Sequence, residues 1–181
     1  YDTAGLLSQR TDARGAVTTY GYDNANNLDQ VTAGSISIAY TQDALNRRKT
    51  MTTAIGTTTW SYDGASRITS VASPAGTVGY TYDDAERRAT MTLPSGTVAY
   101  GYSNDDRLTS LSGPFGTFGF TYFADGRAQA LTRPNGVTTT DGYDAAGRLT
   151  SVSHARGGTT LASFAYSLDA NGNRTSMTSA A

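Results

Sequence analysis

The chain has 181 residues, a formal net charge of −1 and a pI near 5.7, which is enough sequence for one domain. Near-neutral charge removes the electrostatic case for nucleic acid or anionic membrane as a partner. The absence of Cys excludes disulfides and thiol chemistry, and no apolar run approaches a membrane span.

From its first residue the chain repeats. Tyr-Asp-like anchors stand at Tyr1, Tyr22, Gln42, Tyr62, Tyr82, Tyr102, Tyr122, Tyr143 and Leu168, spaced 21, 20, 20, 20, 20, 20, 21 and 25 residues apart. A fixed period of this size marks a repeat architecture, in which one unit is a supersecondary element unstable alone. Asp follows the anchor in seven units: Asp2, Asp23, Asp43, Asp63, Asp83, Asp144 and Asp169. Ser103 and Phe123 take that place in the other two. Four residues past the anchor stands Gly5, Gly126, Gly147 or Gly172, or a small or polar substitute such as Asn26, Asn46, Ser66 or Asp106. An arginine follows in most units: Arg47, Arg67, Arg87, Arg107, Arg127 and Arg148.

Each anchor is preceded by alternation of period two. Val78, Tyr80 and Tyr82 share one face of a strand, and Gly79 and Thr81 take the other. The resulting aromatic ladder is Tyr20, Tyr22, Tyr40, Trp60, Tyr62, Tyr80, Tyr82, Tyr100, Tyr102, Phe120, Tyr122, Tyr143 and Tyr166. After the anchor, Asp and Gly or Asn predict a turn, because Asp bonds the backbone two residues on and Gly or Asn tolerates the left-handed conformation. The chain then returns as a second strand, such as Ile68 to Ala72 or Leu108 to Ser112. Pro74-Ala75-Gly76, Pro94-Ser95-Gly96, Pro114-Phe115-Gly116 and Pro134-Asn135-Gly136 reverse it again.

Each unit is therefore predicted to be a hairpin and the whole an all-β antiparallel meander over residues 1–181, one array of about nine repeats. It should contain on the order of 16 strands, spanning roughly 77 Å at about 4.8 Å spacing. Open sheets seldom exceed about 10 strands without curling, so a broad barrel wall or spiral is expected. The aromatic two residues before each anchor should face the apolar residue nine past it, such as Val31, Met51 or Leu111. The apolar residues six and nine past the anchor differ by an odd number, so a bulge must intervene if both share a face.

The Asp-to-Arg element invites a reading as acid and base. Its recurrence argues against that: a catalytic pair is needed once, a turn in every unit. His154 lies near Ser151, Ser153 and Asp144, but no nucleophile-elbow motif is present and a polar surface residue is expected. One His and no Cys argue against zinc. Asp169-Ala170-Asn171-Gly172-Asn173 has its Gly at the wrong place for a calcium loop and reads as a turn. Arg156-Gly157-Gly158 is a lone fragment of an RNA-binding tract, placed in a longer loop. Asn173-Arg174-Thr175 fits a glycosylation acceptor, and the aromatic ladder could stack on glycans. No catalytic, cofactor or metal residues are assigned.

Tyr143-Asp144-Ala145-Ala146-Gly147-Arg148-Leu149, together with the Pro-x-Gly turns, resembles the Rhs or YD-repeat family along essentially the whole chain. Tyr166-Ser167-Leu168-Asp169-Ala170-Asn171-Gly172-Asn173-Arg174 resembles a Gly-Asn-Arg variant of the same unit. Members include bacterial polymorphic toxins, shell-forming components of tripartite insecticidal toxins, wall-associated proteins and teneurins. The resemblance implies a β-spiral forming a hollow shell that, in the toxin branches, encloses a C-terminal toxin domain. The expected role is a non-enzymatic wall segment of such a secreted or cell-surface bacterial shell, a piece of something longer, with the rest of the shell and the toxin as partners. The alternative is an adhesion or glycan-binding module. The family's Asp-Pro autoproteolytic segment has no counterpart here, and isolated strand edges are expected to self-associate.

Overall fold

The computed structural model describes residues 1–180, and every regular element in them is a β-strand. The chain divides into two compact units, one of Tyr1–Arg87 with Met91–Pro94 and one of Arg88–Thr90 with Ser95 onward. The first holds β1 (Gln9–Thr11), β2 (Val17–Tyr22), β3 (Leu28–Ala33), β4 (Ile36–Gln42), β5 (Arg48–Thr53), β6 (Gly56–Tyr62), β7 (Ile68–Ser73) and β8 (Gly76–Tyr82). Each pairs antiparallel with the next. Strand β9 (Arg88–Leu93) contributes to both units. The second unit continues with β10 (Gly96–Tyr102), β11 (Leu108–Gly113), β12 (Gly116–Tyr122), β13 (Ala128–Thr132), β14 (Val137–Tyr143), β15 (Leu149–Arg156), β16 (Thr159–Leu168) and β17 (Arg174–Ala180), again each against the next. The all-β hairpin meander is thus the fold. The described residues hold one strand beyond the expected number because β17 follows the last anchor.

The register follows the repeat. Tyr20 faces Val31, Tyr40 faces Met51, Trp60 faces Val71, Tyr100 faces Leu111, Phe120 faces Leu131 and Tyr166 faces Met177. These aromatic–aliphatic pairs contribute roughly 0.2–1 kcal/mol each. A bulge interrupts each of these ladders one residue before the anchor, as between Ser61 and Tyr62. Trp60 therefore faces Val71 while Tyr62 faces Ile68. The extra residue turns the odd spacing into a shared face, and one side of the sheet becomes aromatic and aliphatic. The other side carries hydroxyls in register, with Thr41 against Thr50 at 2.7 Å and Thr52 against Thr57 at 3.0 Å.

Two turns differ from expectation. Pro134-Asn135-Gly136 does not repeat the tight reversal of Pro74-Ala75, where Ser73 already pairs with Gly76. Arg133 N donates to the Val137 carbonyl and Gly136 N to the Arg133 carbonyl, the pattern of the post-anchor turns. Gly136 has φ 79°, within the 77° to 91° of the post-anchor turn glycines Gly5, Gly126, Gly147 and Gly172. The added residues of the eighth unit do not form a longer loop. They lengthen β15 and β16, and Gly157-Gly158, with φ 57° and 83°, close a two-residue hairpin.

Val98 is the one buried hydrophobic residue among those described, at 4% exposure. The rest of the aromatic face is half-buried. Stability rests on strand pairing and side chains laid along the sheet, with no packed interior.

Candidate functional site

The post-anchor turn is the most elaborated feature of each repeat. At Asp63, the backbone N–H donates to the Arg67 carbonyl and Ser66 N donates to the Asp63 carbonyl, both at 3.0 Å. The Asp63 carboxylate accepts from Ala65 N at 3.0 Å, Arg67 N at 2.9 Å and Arg67 Nε at 2.8 Å. Asp43, Asp83 and Asp144 hold Arg47, Arg87 and Arg148 in the same way. Asp23 and Asp169 hold Asn27 and Asn173, whose amide replaces the guanidinium. Asp2 caps its turn through Ala4 N and Leu6 N. Asp12 builds the same turn between β1 and β2, accepting from Arg14 N and Ala16 N, a role its position between two anchors concealed.

Each turn needs one residue with positive φ. Gly5, Gly126, Gly147 and Gly172 supply it at 77° to 91°, and Asn26, Asn46, Ser66, Glu86 and Asp106 adopt 57° to 64°. For Ser66 and Glu86 that conformation carries real strain, about 1–2 kcal/mol for an L-residue.

The anchor itself links one repeat to the one before. Tyr62 Oη donates to the Arg48 carbonyl at 2.8 Å, Tyr82 to Ile68 at 2.8 Å, Tyr102 to Arg88 at 3.0 Å, Tyr122 to Leu108 at 2.8 Å and Tyr22 to Leu7 at 3.0 Å. The β5–β6 ladder ends at Thr50 and Thr59, short of the bulge, and the tyrosine bridges the opening beyond it. Gln42 replaces Tyr by donating its amide to the Leu28 carbonyl at 2.9 Å.

The arginine faces both ways. Arg47 lies 4.4 Å over the Tyr62 ring, Arg67 4.5 Å over Tyr82, Arg107 5.7 Å over Tyr122 and Arg127 4.7 Å over Tyr143. Arg47 Nη1 also donates to Ser66 Oγ at 3.0 Å, and Arg148 Nη1 donates to the Asp169 carbonyl at 2.9 Å. Each guanidinium thus closes its own turn and clasps the next. This cross-repeat clasp is invisible in the linear pattern.

The two turns without Asp recruit another carboxylate. Arg107 pairs with Asp105 at 3.5 Å while Ser103 Oγ accepts its backbone N–H. Arg127 bonds Asp125 through Nε at 2.8 Å, and Phe123 packs edge-on against Tyr143 at 5.8 Å. An acid two residues beyond the missing Asp was the signal available in the sequence. The rearrangement leaves Arg127 Nη1 buried without a hydrogen-bond acceptor among the described residues.

These contacts set the charges. Side-chain bonding from Arg47 holds Asp43 below the usual carboxylate range, as Arg87 does for Asp83 and Arg127 for Asp125. The backbone N–H of Arg67 and of Arg148 leads the same effect at Asp63 and Asp144, as that of Asn27 does at Asp23. Asn173 does so through its amide at Asp169. Asp125 raises Arg127 further. The carboxylates are held ionised by structural partners, so none is poised to exchange protons near neutral pH.

At the other end of the strands the contact is steric. A Cβ on Gly56 would stand 2.5 Å from Pro74 Cγ, on Gly76 2.7 Å from Pro94 Cγ, on Gly96 2.5 Å from Pro114 Cγ and on Gly116 2.6 Å from Pro134 Cβ. All four prolines of the chain seat a glycine of the preceding repeat.

His154 is no free surface group. Its Nδ1 lies 2.8 Å from Thr139 Oγ1 and its ring meets Phe164 edge-on at 6.2 Å. No group of three or more His, Cys, Asp or Glu gathers as a metal site among the described residues. The Asn173 amide is engaged by Asp169.

A sheet of clasped hairpins, recurring with the sequence period, defines a β-repeat protein. The chain belongs to the teneurin YD-shell family, whose model matches residues 1–180, and its role is structural and shell-forming. No curated protein sequence matches it. Its backbone resembles that in the crystal structure of TcdB2-TccC3-Cdc42, with TM-score 0.50 and 16% identity over 98% of this chain. Crystal structures of TcdB2-TccC3-TEV and TcdB2-TccC3 match over the same share, with TM-scores 0.33 and 0.34 and identities of 14% and 15%. The chain spans 15% of the length of each of these structures.

Proposed function

We propose that this chain is a stretch of wall in a longer secreted bacterial shell that encloses a C-terminal toxin domain. The observation that carries the reading is the YD-shell match along residues 1–180, on a sheet whose one buried hydrophobic among described residues is Val98. A wall needs lateral continuity more than a core. The Tyr, Arg and Pro–Gly contacts, all running from one repeat to the next, provide it. The partners are then neighbouring repeats, joined by strand pairing, and the enclosed domain.

The test is limited proteolysis of the complete protein from which the chain comes. A C-terminal domain inside an intact wall should resist protease until the shell is opened by denaturant. Cleavage of that domain at the rate of the isolated domain, with the wall still folded, would overturn the proposal.

A further inference from the structure

Between the second and third repeats the clasp is missing. Where Arg47, Arg67, Arg107 and Arg127 lie over the next anchor Tyr, the second repeat has Asn27 and the third has Gln42. The shorter side chains keep polar partners but do not fill the same space. Asn27 Nδ2 donates to Asp23 Oδ2 at 3.1 Å and meets Asn46 Oδ1 at 3.3 Å, and Gln42 Nε2 donates to the Leu28 carbonyl. A depression of about 530 Å³, open to solvent, results, lined by Asn26, Asn27, Leu28, Gln42, Asn46, Arg48 and Trp60.

We propose that this gap is a saccharide-binding site. The proposal goes beyond the wall role and does not depend on it. Pockets of roughly 300–1,000 Å³ with an aromatic surface and a few convergent polar groups are the usual form of a small-ligand site. Trp60 is the sole Trp of the chain, half-buried on the aromatic face, and offers a flat apolar surface to the C–H face of a sugar ring. The amides supply the polar complement. Among the described residues, Asn27 Oδ1 and Gln42 Oε1 have no hydrogen-bond donor and Asn46 Nδ2 has no acceptor. Adjacent acceptors and donors are what vicinal hydroxyls need, since each hydroxyl gives one proton and accepts others. Arg48 stands 4.4 Å over the Tyr40 ring, which orients its guanidinium beside the pocket, and no carboxylate engages it among the described residues. Amides around an indole, with one guanidinium at the edge, suit a polyhydroxylated ring, neutral or carrying a carboxylate.

The sole Trp makes the test local. The full chain is titrated with methyl glucoside, methyl galactoside, N-acetylglucosamine and glucuronic acid while Trp60 fluorescence is followed. The expected result is a saturable change with at least one of them. In the double variant Asn27→Arg/Gln42→Tyr, which installs the clasp present at Arg47 and Tyr62, binding should weaken by about tenfold or more. If that variant does not fold, Asn46→Ala serves instead and should weaken binding in the same direction. No saturable change with any of the four sugars overturns the proposal, as does undiminished binding by the filled or truncated variant.

Discussion

The two ends of the strands are built on opposite principles. At the post-anchor end, neighbouring repeats are joined by ions, amides and a hydroxyl, and at the Pro–Gly end they are joined by fit. The first tolerates sequence change: Asp is replaced by Ser103 with Asp105, by Phe123 with Asp125, and the anchor Tyr by Gln42, with a turn still formed each time. A functional group can arrive from a nearby position. Where a proline is seated the second has less freedom, because no nearby residue can supply the space that a Cβ would fill. Gly136 receives no proline, and its turn is of the post-anchor type.

The largest effect is expected at the steric end. Gly96→Val would place a branched side chain into Pro114 at φ 134° and should destabilise by about 3 kcal/mol or more, combining backbone strain with overpacking. Denaturant unfolding measures it. Adding Pro114→Ala should return part of the loss, and no return would mean that conformation alone sets the cost.

Gly147→Val tests the polar end in the same way. Gly147 has φ 80° and a Cβ there would meet Arg127 Nη1 at 3.3 Å, a side chain that can move. The cost should be smaller than at Gly96, roughly 1 kcal/mol or beyond. Equal costs at both glycines would erase the distinction.

Tyr122→Phe removes the hydroxyl bonded to the Leu108 carbonyl and keeps the ring under Arg107. A loss of about 1 kcal/mol is expected in chemical denaturation. Glu86→Gly acts in the other direction: relief of the left-handed strain at φ 64° should stabilise by about 0.5–1 kcal/mol, visible as a higher denaturation midpoint.

The mildest perturbation is pH. Asp43, Asp63, Asp83 and Asp144 ionise more readily in the folded chain than in the unfolded one. Their stabilisation is complete above the unfolded carboxylate range, about pH 4, and is lost as pH falls through the lower folded values. Unfolding midpoints should fall below that pH. A flat profile there would mean the turns do not need the charge.

Much of this was legible in the residues. Period-two alternation placed the strands at Ile68–Ser73 and Leu108–Gly113 within one residue, and the odd spacing of Leu28 and Val31 required the bulge found beside Tyr22. The Asp169 loop read as a turn and is one. The substitute carboxylates Asp105 and Asp125 are displaced by two residues from the repeat position, so the fixed period does not mark them.

The sequence by itself determined the strands, the post-anchor turns and the register, because these depend on residues close in the chain: alternation chooses a face, and Asp with a left-handed residue closes a turn. Only the tertiary structure decided what joins one repeat to the next. Arg47 reaches Tyr62, Tyr62 reaches Arg48 and Gly56 receives Pro74 only once the strands lie side by side. Those distances are fixed by strand spacing and bulge geometry, and a one-residue shift of register would move every one of those side chains to the other face.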